Sequence, residues 1–461
     1  MRRDRNGRPL CVLLATTIVL LTPLFGMAHG QGRRGGPPPS FQGPSARPWQ
    51  GRLSSSSACA NSASQSCLTP TRLRAAYAID PLLHRGITGK GRTIAIVVSY
   101  GSLTLRADLH AFDRAFGLTD PQLDMLAPLG PVHAADPGWA GETTLDVEWA
   151  HVVAPAAHLI VLESPVNETE GVRGLPEFLA VERYALQHGL VDVISQSWGA
   201  TENTLFTATG RRLVAQFHRF YADAAARGVT VVCASGDDGA AGSTLSLSRL
   251  FPYPVVQFPA DDPLVLAVGG TRLDVDPHGR ARDETAWIGS GGGVSKIYQE
   301  PSYQEPLPAA MQRLLAGRRG LPDVAYNAAP QSPFPVYQKG RWTLASGTSA
   351  AAPQWAALIA LADQAAGHDL GSINADLYQL AISPRYHMDL RDIGSGGIAG
   401  PKRDGSGTTG IAFRAGRGWD AATGWGSPRA AALLFDLIKM SRQDGGSHRC
   451  RSCNSASAQS G

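Results

Sequence analysis

Five short stretches of the chain read as strands, most of them largely apolar, and segments with helical spacing separate them. The stretches are Thr93–Tyr100 (TIAIVVSY), Leu159–Leu162, Val191–Ser197, Val229–Ala234 (VTVVCA) and Leu264–Val268. A strand with one wet face alternates apolar and polar residues. A strand that is apolar throughout is covered on both faces. Between these stretches, 108–116 turns Leu109, Phe112 and Phe116 to one side. The segments 142–152, 176–188 and 206–227 also have helical patterning, and 429–440 reads as a closing helix. Strands that alternate with helices predict an α/β class, with a parallel sheet covered by helices on both faces.

The string Ala345-Ser346-Gly347-Thr348-Ser349-Ala350-Ala351-Ala352-Pro353 stands where a hairpin gives way to a helix. Val336–Gln338 and Trp342–Leu344 read as the hairpin strands, turning at Lys339-Gly340. Trp355, Leu358, Ile359, Leu361 and Ala362 then recur at helical spacing. A hydroxyl at Ser349 is therefore held at a helix start, beside free N–H groups and the positive end of the helix dipole. Both a capping serine and a nucleophile fit such a place.

Two acids share one face upstream. Glu142 and Asp146 are i and i+4, whereas Glu148 points elsewhere. Like charges so placed repel unless they share a proton. Their neighbours Leu145, Val147, Trp149 and Ala150 are apolar, so this helix is expected to be partly buried. Asp237 follows the apolar run 229–234, at the strand end where parallel sheets collect ligands and catalytic groups.

In this order, Ser349, Glu142 with Asp146, and Asp237 resemble the sedolisin family of serine-carboxyl peptidases. That family has a subtilisin-like fold, with Glu in place of the catalytic His. The chain has twelve His, none of them in a His-Gly-Thr-His string. Other matching blocks are Leu68-Thr69-Pro70, Thr93–Tyr100, Ser195–Gly199, Val268–Thr271, Gly291–Ser295, Pro322–Val324 and Gly418–Asp420. The resemblance runs from about Leu68 to Pro428. It implies Ser349 as nucleophile, Glu142 as base, Asp146 as its partner and Asp237 as a protonated oxyanion donor. It also implies Ser197, Trp198 and Gly199 as an edge that pairs with extended polypeptide substrate. One Ca²⁺ is implied on Asp392 and Asp420 with the carbonyls of Ile393, Gly416 and Gly418, near the C-terminus. Asp238 departs from the family pattern, which often has Ser there. Activity is expected at acidic pH, because the protonated Asp must hold its proton.

A formal charge of +4 is mild and forms no basic stripe, which argues against nucleic acid as a partner. Arg2–Arg5 followed by the apolar run 11–27 reads as a secretory signal over 1–29, and no other membrane-spanning run exists. Residues 30–66 are rich in Gly, Arg, Pro and Ser and read as a flexible spacer, where the family usually carries a large folded prosegment. The peptidase domain is expected over 67–441, and the tail 442–461 is expected to be disordered. In an exported chain, Cys59 with Cys67 and Cys450 with Cys453 read as two local disulfides, and Cys233 as an inert core thiol. A secreted monomer without stable membrane association is expected. Two alternatives share the fold: a catalytically silent binding protein, which would most simply have lost one of the four groups present here, and an acyl esterase using the same Ser.

Overall fold

A computed structural model of the chain describes residues 47–48, 67–132 and 135–441. The expected signal and the Cys450–Cys453 pair lie outside the described residues. An eight-stranded sheet forms the centre. Its strands are β1 (Thr93–Ser99), β2 (Leu123–Leu126), β3 (His158–Ser164), β4 (Val193–Gln196), β5 (Thr230–Ala234), β6 (Leu266–Val275), β7 (Ala281–Ala286) and β8 (Val324–Asn327). The order is β7-β6-β5-β4-β1-β3-β2, with β8 also pairing β6. Every pairing is parallel except that of β7 with β6.

The apolar runs have the expected cause. In β1, Ile94, Ile96 and Val98 enter one core and Ala95 and Val97 the other. Helices α1 (Leu105–Phe116), α2 (Pro137–Val153) and α5 (Thr348–Ala366) pack on the first face. Helices α3 (Leu175–Gln187) and α4 (Ala208–Ala226) cover the second. Each fully buried aliphatic side chain contributes about 1.5–3 kcal/mol relative to exposure. Among the described residues, no helix is long and apolar enough to cross a membrane.

Several boundaries differ from expectation for local reasons. The acid helix starts at Pro137, five residues before the expected start. Asp136 caps it by accepting the N–H groups of Gly138 and Trp139 at 2.8 and 2.9 Å, and Pro137 presets the first turn. A 3₁₀ turn, Glu202–Leu205, precedes α4, and Thr207 caps α4 through the Gly210 N–H. The strand expected to stop at Gly269-Gly270 continues to Val275, because those glycines lie where β8 joins β6. The expected spacer contains one short strand: Arg47–Pro48 pairs antiparallel with Thr343–Leu344. Cys67 is disulfide-bonded, and its expected partner Cys59 lies outside the described residues. Cys233 is a free, buried thiol in β5, as expected.

Candidate active site

The hairpin forms as read, with β9 (Phe334–Gln338) antiparallel to β10 (Arg341–Ala345). Lys339 and Gly340 both have positive φ, 50° and 72°, as a tight hairpin turn requires. Their N–H groups donate to the two carboxylate oxygens of buried Asp108 at 2.8 and 3.0 Å, which fixes the hairpin to α1. The chain then passes through Gly347, at φ +131°, and α5 begins at Thr348. Ser349 is therefore the second residue of α5, where an N–H has no acceptor within the helix. It is fully buried.

Helix α2 packs against α5 and is buried along its whole length from Ala140 to Val153. This carries Glu142 (2% exposed) and Asp146 (0%) to the start of α5. Burial raises the Glu142 carboxyl well above its ordinary range, and the charge of Asp146 raises it further. The Ser349 hydroxyl beside it acts in the opposite direction, and Asp237 and Glu168 add smaller upward pushes. Asp146 is also raised by burial, with the Ser197 hydroxyl opposing. The carboxylate oxygens of both acids and Ser349 Oγ are buried without a fully formed hydrogen bond. Two carboxyls so placed share a proton, since ionising both would put two unscreened charges in the interior. Glu148 does point away, toward the hairpin, where the Tyr337 N–H donates to it at 3.2 Å.

Asp237 follows β5 and reaches the start of α5 from the other side. Its Oδ1 accepts the N–H and the hydroxyl of Thr348, each at 2.8 Å. Its Oδ2 faces Gly347, where a Cβ would stand 2.5 Å away, so only glycine leaves room for this carboxyl. Burial lifts Asp237 to about 7, against the two bonds from Thr348, and Asp238 adds a smaller push. Desolvation is the larger cause, and exposed Asp238 both meets solvent and raises its neighbour.

At the expected substrate edge any pairing with substrate would fall to the backbone of 197–199, because the side chains of Ser197 and Trp198 are buried. The Trp198 side chain is fully buried and packs on Phe178 and Phe217, so it is a core aromatic. Gly199 does permit a close approach, but to the Phe258 carbonyl, 2.9 Å from where its Cβ would stand. Ala200–Thr201 then pairs antiparallel with Gln257–Phe258. The Ser197 hydroxyl turns inward and donates to the Ser349 carbonyl at 3.4 Å. Two contributors were given no role by the sequence, although Thr348 lies in the string around Ser349. Thr348 fixes Asp237, and Glu168 is a buried acid that desolvation lifts to about 8.

Asp392 and Asp420 come together on the loop 416–418. Gly418 N–H donates to Asp392 Oδ1 at 3.0 Å, and Gly416 N–H to Asp420 Oδ2 at 2.9 Å. Among the described residues neither carboxylate has a cationic side chain as partner.

The subtilase family model matches residues 139–385, more than half the chain, and that span contains Glu142, Asp146, Asp237 and Ser349. Kumamolisin from Bacillus sp. (strain MN-32) is 34% identical over 394 residues, covering 83% of this chain and 66% of that protein. The chain belongs to the subtilase family, in its sedolisin branch. Tripeptidyl-peptidase 1 of Canis lupus familiaris is 31% identical over 352 residues, 72% of this chain and 58% of that one. This subtilase thus spans 58% and 66% of the lengths of these two curated relatives. The structure of Pseudomonas sedolisin, a serine-carboxyl proteinase complexed with two molecules of pseudo-iodotyrostatin, matches with a TM-score of 0.67 at 26% identity. That match covers 81% of this chain and 98% of the solved one.

Proposed function

We propose that this chain is a serine-carboxyl endopeptidase that hydrolyses polypeptides at acidic pH. The observation that carries the reading is the meeting of three elements at one helix start: the Ser349 hydroxyl, the buried acid pair Glu142 and Asp146 on α2, and Asp237 fixed by Thr348. Ser349 Oγ attacks the peptide carbonyl carbon while Glu142 takes its proton. The C–O bond forms as the carbonyl electron pair moves to oxygen. Asp237, protonated on Oδ2, donates to that oxyanion together with the Ser349 N–H. Collapse expels the amine, which takes the proton from Glu142, and a water molecule repeats the sequence on the acyl-enzyme. Asp146 holds Glu142 in place and shares the proton, as the third member of a triad does. The likeness to Pseudomonas sedolisin, itself a serine-carboxyl proteinase, supports the same reading. The basic and apolar N-terminus supports secretion. The test is digestion of a peptide library at about pH 4. The reading expects internal cleavage by the wild-type chain and none by Ser349→Ala, and equal digestion by both would refute it.

One Ca²⁺ on the 416–418 loop belongs to this proposal. Two carboxylates without cationic partners and nearby loop carbonyls form a hard-oxygen set that suits calcium. Asp392, Asp420 and the carbonyls of Ile393, Gly416 and Gly418 would hold it. The ion's chemistry is structural, drawing the 392 and 416–420 segments together. Chelation is expected to lower the thermal midpoint by several degrees, restored by Ca²⁺ but not by Mg²⁺, because a ligand bound only to the folded state stabilises it. A midpoint unmoved by chelator and by added Ca²⁺ would remove the site.

A further inference from the structure

Helix α5 contains a proline at its sixth residue, Pro353. In an α-helix the N–H of residue i donates to the carbonyl of residue i−4. Proline has no N–H, so Pro353 leaves the carbonyl of residue 349 without its helical donor. That is the carbonyl of Ser349 itself. The Ser197 hydroxyl lies just beyond the end of β4, fully buried, and donates to it at 3.4 Å. Both Asp146 carboxylate oxygens on α2 are buried without a formed hydrogen bond, and the Ser197 hydroxyl is near enough to favour the ionised form of that carboxyl. One side chain from a third element thus bonds the nucleophile's backbone and stands near the unpartnered carboxyl behind the base.

We propose that Ser197 is a positioning residue whose hydroxyl locks the α2 acid pair to the nucleophile helix. The proposal rests on the peptidase reading above and assigns the side chain a role distinct from the substrate edge. A hydroxyl carries one hydrogen. With the pair singly ionised, Ser197 donates it to Asp146. With Asp146 protonated, the hydrogen is free for the Ser349 carbonyl. Ser197 therefore senses the protonation state of the pair and adjusts the backbone under Ser349 to match. The charged or titratable groups facing the pair are all acidic: Asp237 from the loop after β5, and Glu168 from the segment after β3. Among the described residues, no cation competes with Ser197 for the role of donor to Asp146.

The test is the pH profile of peptide cleavage by wild type, Ser197→Ala, Ser197→Thr and Ser349→Ala in one assay. In Ser197→Ala the Asp146 carboxylate loses its donor, so its proton leaves at higher pH. The acid limb is expected to move up by about half to one pH unit. Loss of geometry is expected to lower kcat about 10–100-fold, with KM within about twofold, because the side chain contacts no substrate. Ser197→Thr keeps the hydroxyl and is expected to restore both the limb and most of kcat. An unshifted acid limb in Ser197→Ala, or a loss confined to KM, would overturn the positioning role. If Ser197→Thr behaves as Ser197→Ala, packing rather than the hydroxyl is responsible, and the proposal fails. Undiminished cleavage by Ser349→Ala would instead overturn the peptidase reading beneath it.

Discussion

Ser349→Ala is expected to lower kcat by about a millionfold while leaving the folded state intact. The size of the effect follows from what the hydroxyl supplies. Without Oγ no acyl-enzyme forms, and Glu142 has no proton to accept. The Ser349 N–H and Asp237 remain, so a residue of about 10³–10⁴ over water is expected from oxyanion stabilisation and binding alone. The fold is spared because Oγ, though buried, makes no fully formed hydrogen bond, so its removal orphans no strongly held partner. Turnover on a chromogenic peptide, with circular dichroism on the same sample, checks both halves. Loss of activity together with loss of fold would not support a nucleophile, and retained turnover would exclude one.

Glu142→Gln is expected to lower kcat by at least about a thousandfold with little change in KM. Gln is nearly the same shape and keeps the buried position on α2, but its amide cannot take a proton from Ser349. The variant also leaves Asp146 without the acid with which it would share a proton. The partial alternative, in which Glu142 only orients a water molecule, predicts a loss about tenfold or smaller. Wild-type turnover by Glu142→Gln would assign the base elsewhere. Besides Asp146, the charges of Asp237 and Glu168 also reach Glu142.

The central sheet was legible because its strands are apolar on both faces, a pattern that little else produces in such short runs. β2, β7 and β8 escaped notice because they are short or half-exposed, and β7 carries Arg282, Asp283 and Glu284. The four candidate groups stand out in the sequence through their neighbours: Gly347 and Pro353 around Ser349, apolar residues around Glu142 and Asp146 within one helix, an apolar strand before Asp237. The burial of the Trp198 side chain was not legible, because a strand end beside a cleft and a strand end over a core have the same sequence, and the packing of Phe178 and Phe217 decides between them. The lift of Asp237 has burial as its largest cause, and sequence shows neighbouring charges but not the depth of burial. The link from Ser197 to Asp146 joins residues far apart in the chain and has no local signature.

The most direct test of carboxyl-driven catalysis is the pH dependence of kcat/KM for the wild-type chain on an unfolded protein substrate. The pair on α2 must lose one proton to act as base, which sets the acid limb. Asp237 must keep its proton to donate to the oxyanion, and its lift to about 7 sets the alkaline limb. The expected profile is a bell with its maximum at about pH 4–6, falling as pH rises through about 7. Full activity at about pH 8 with none at about pH 4 would contradict it, since an ionised Asp237 would then face the developing oxyanion.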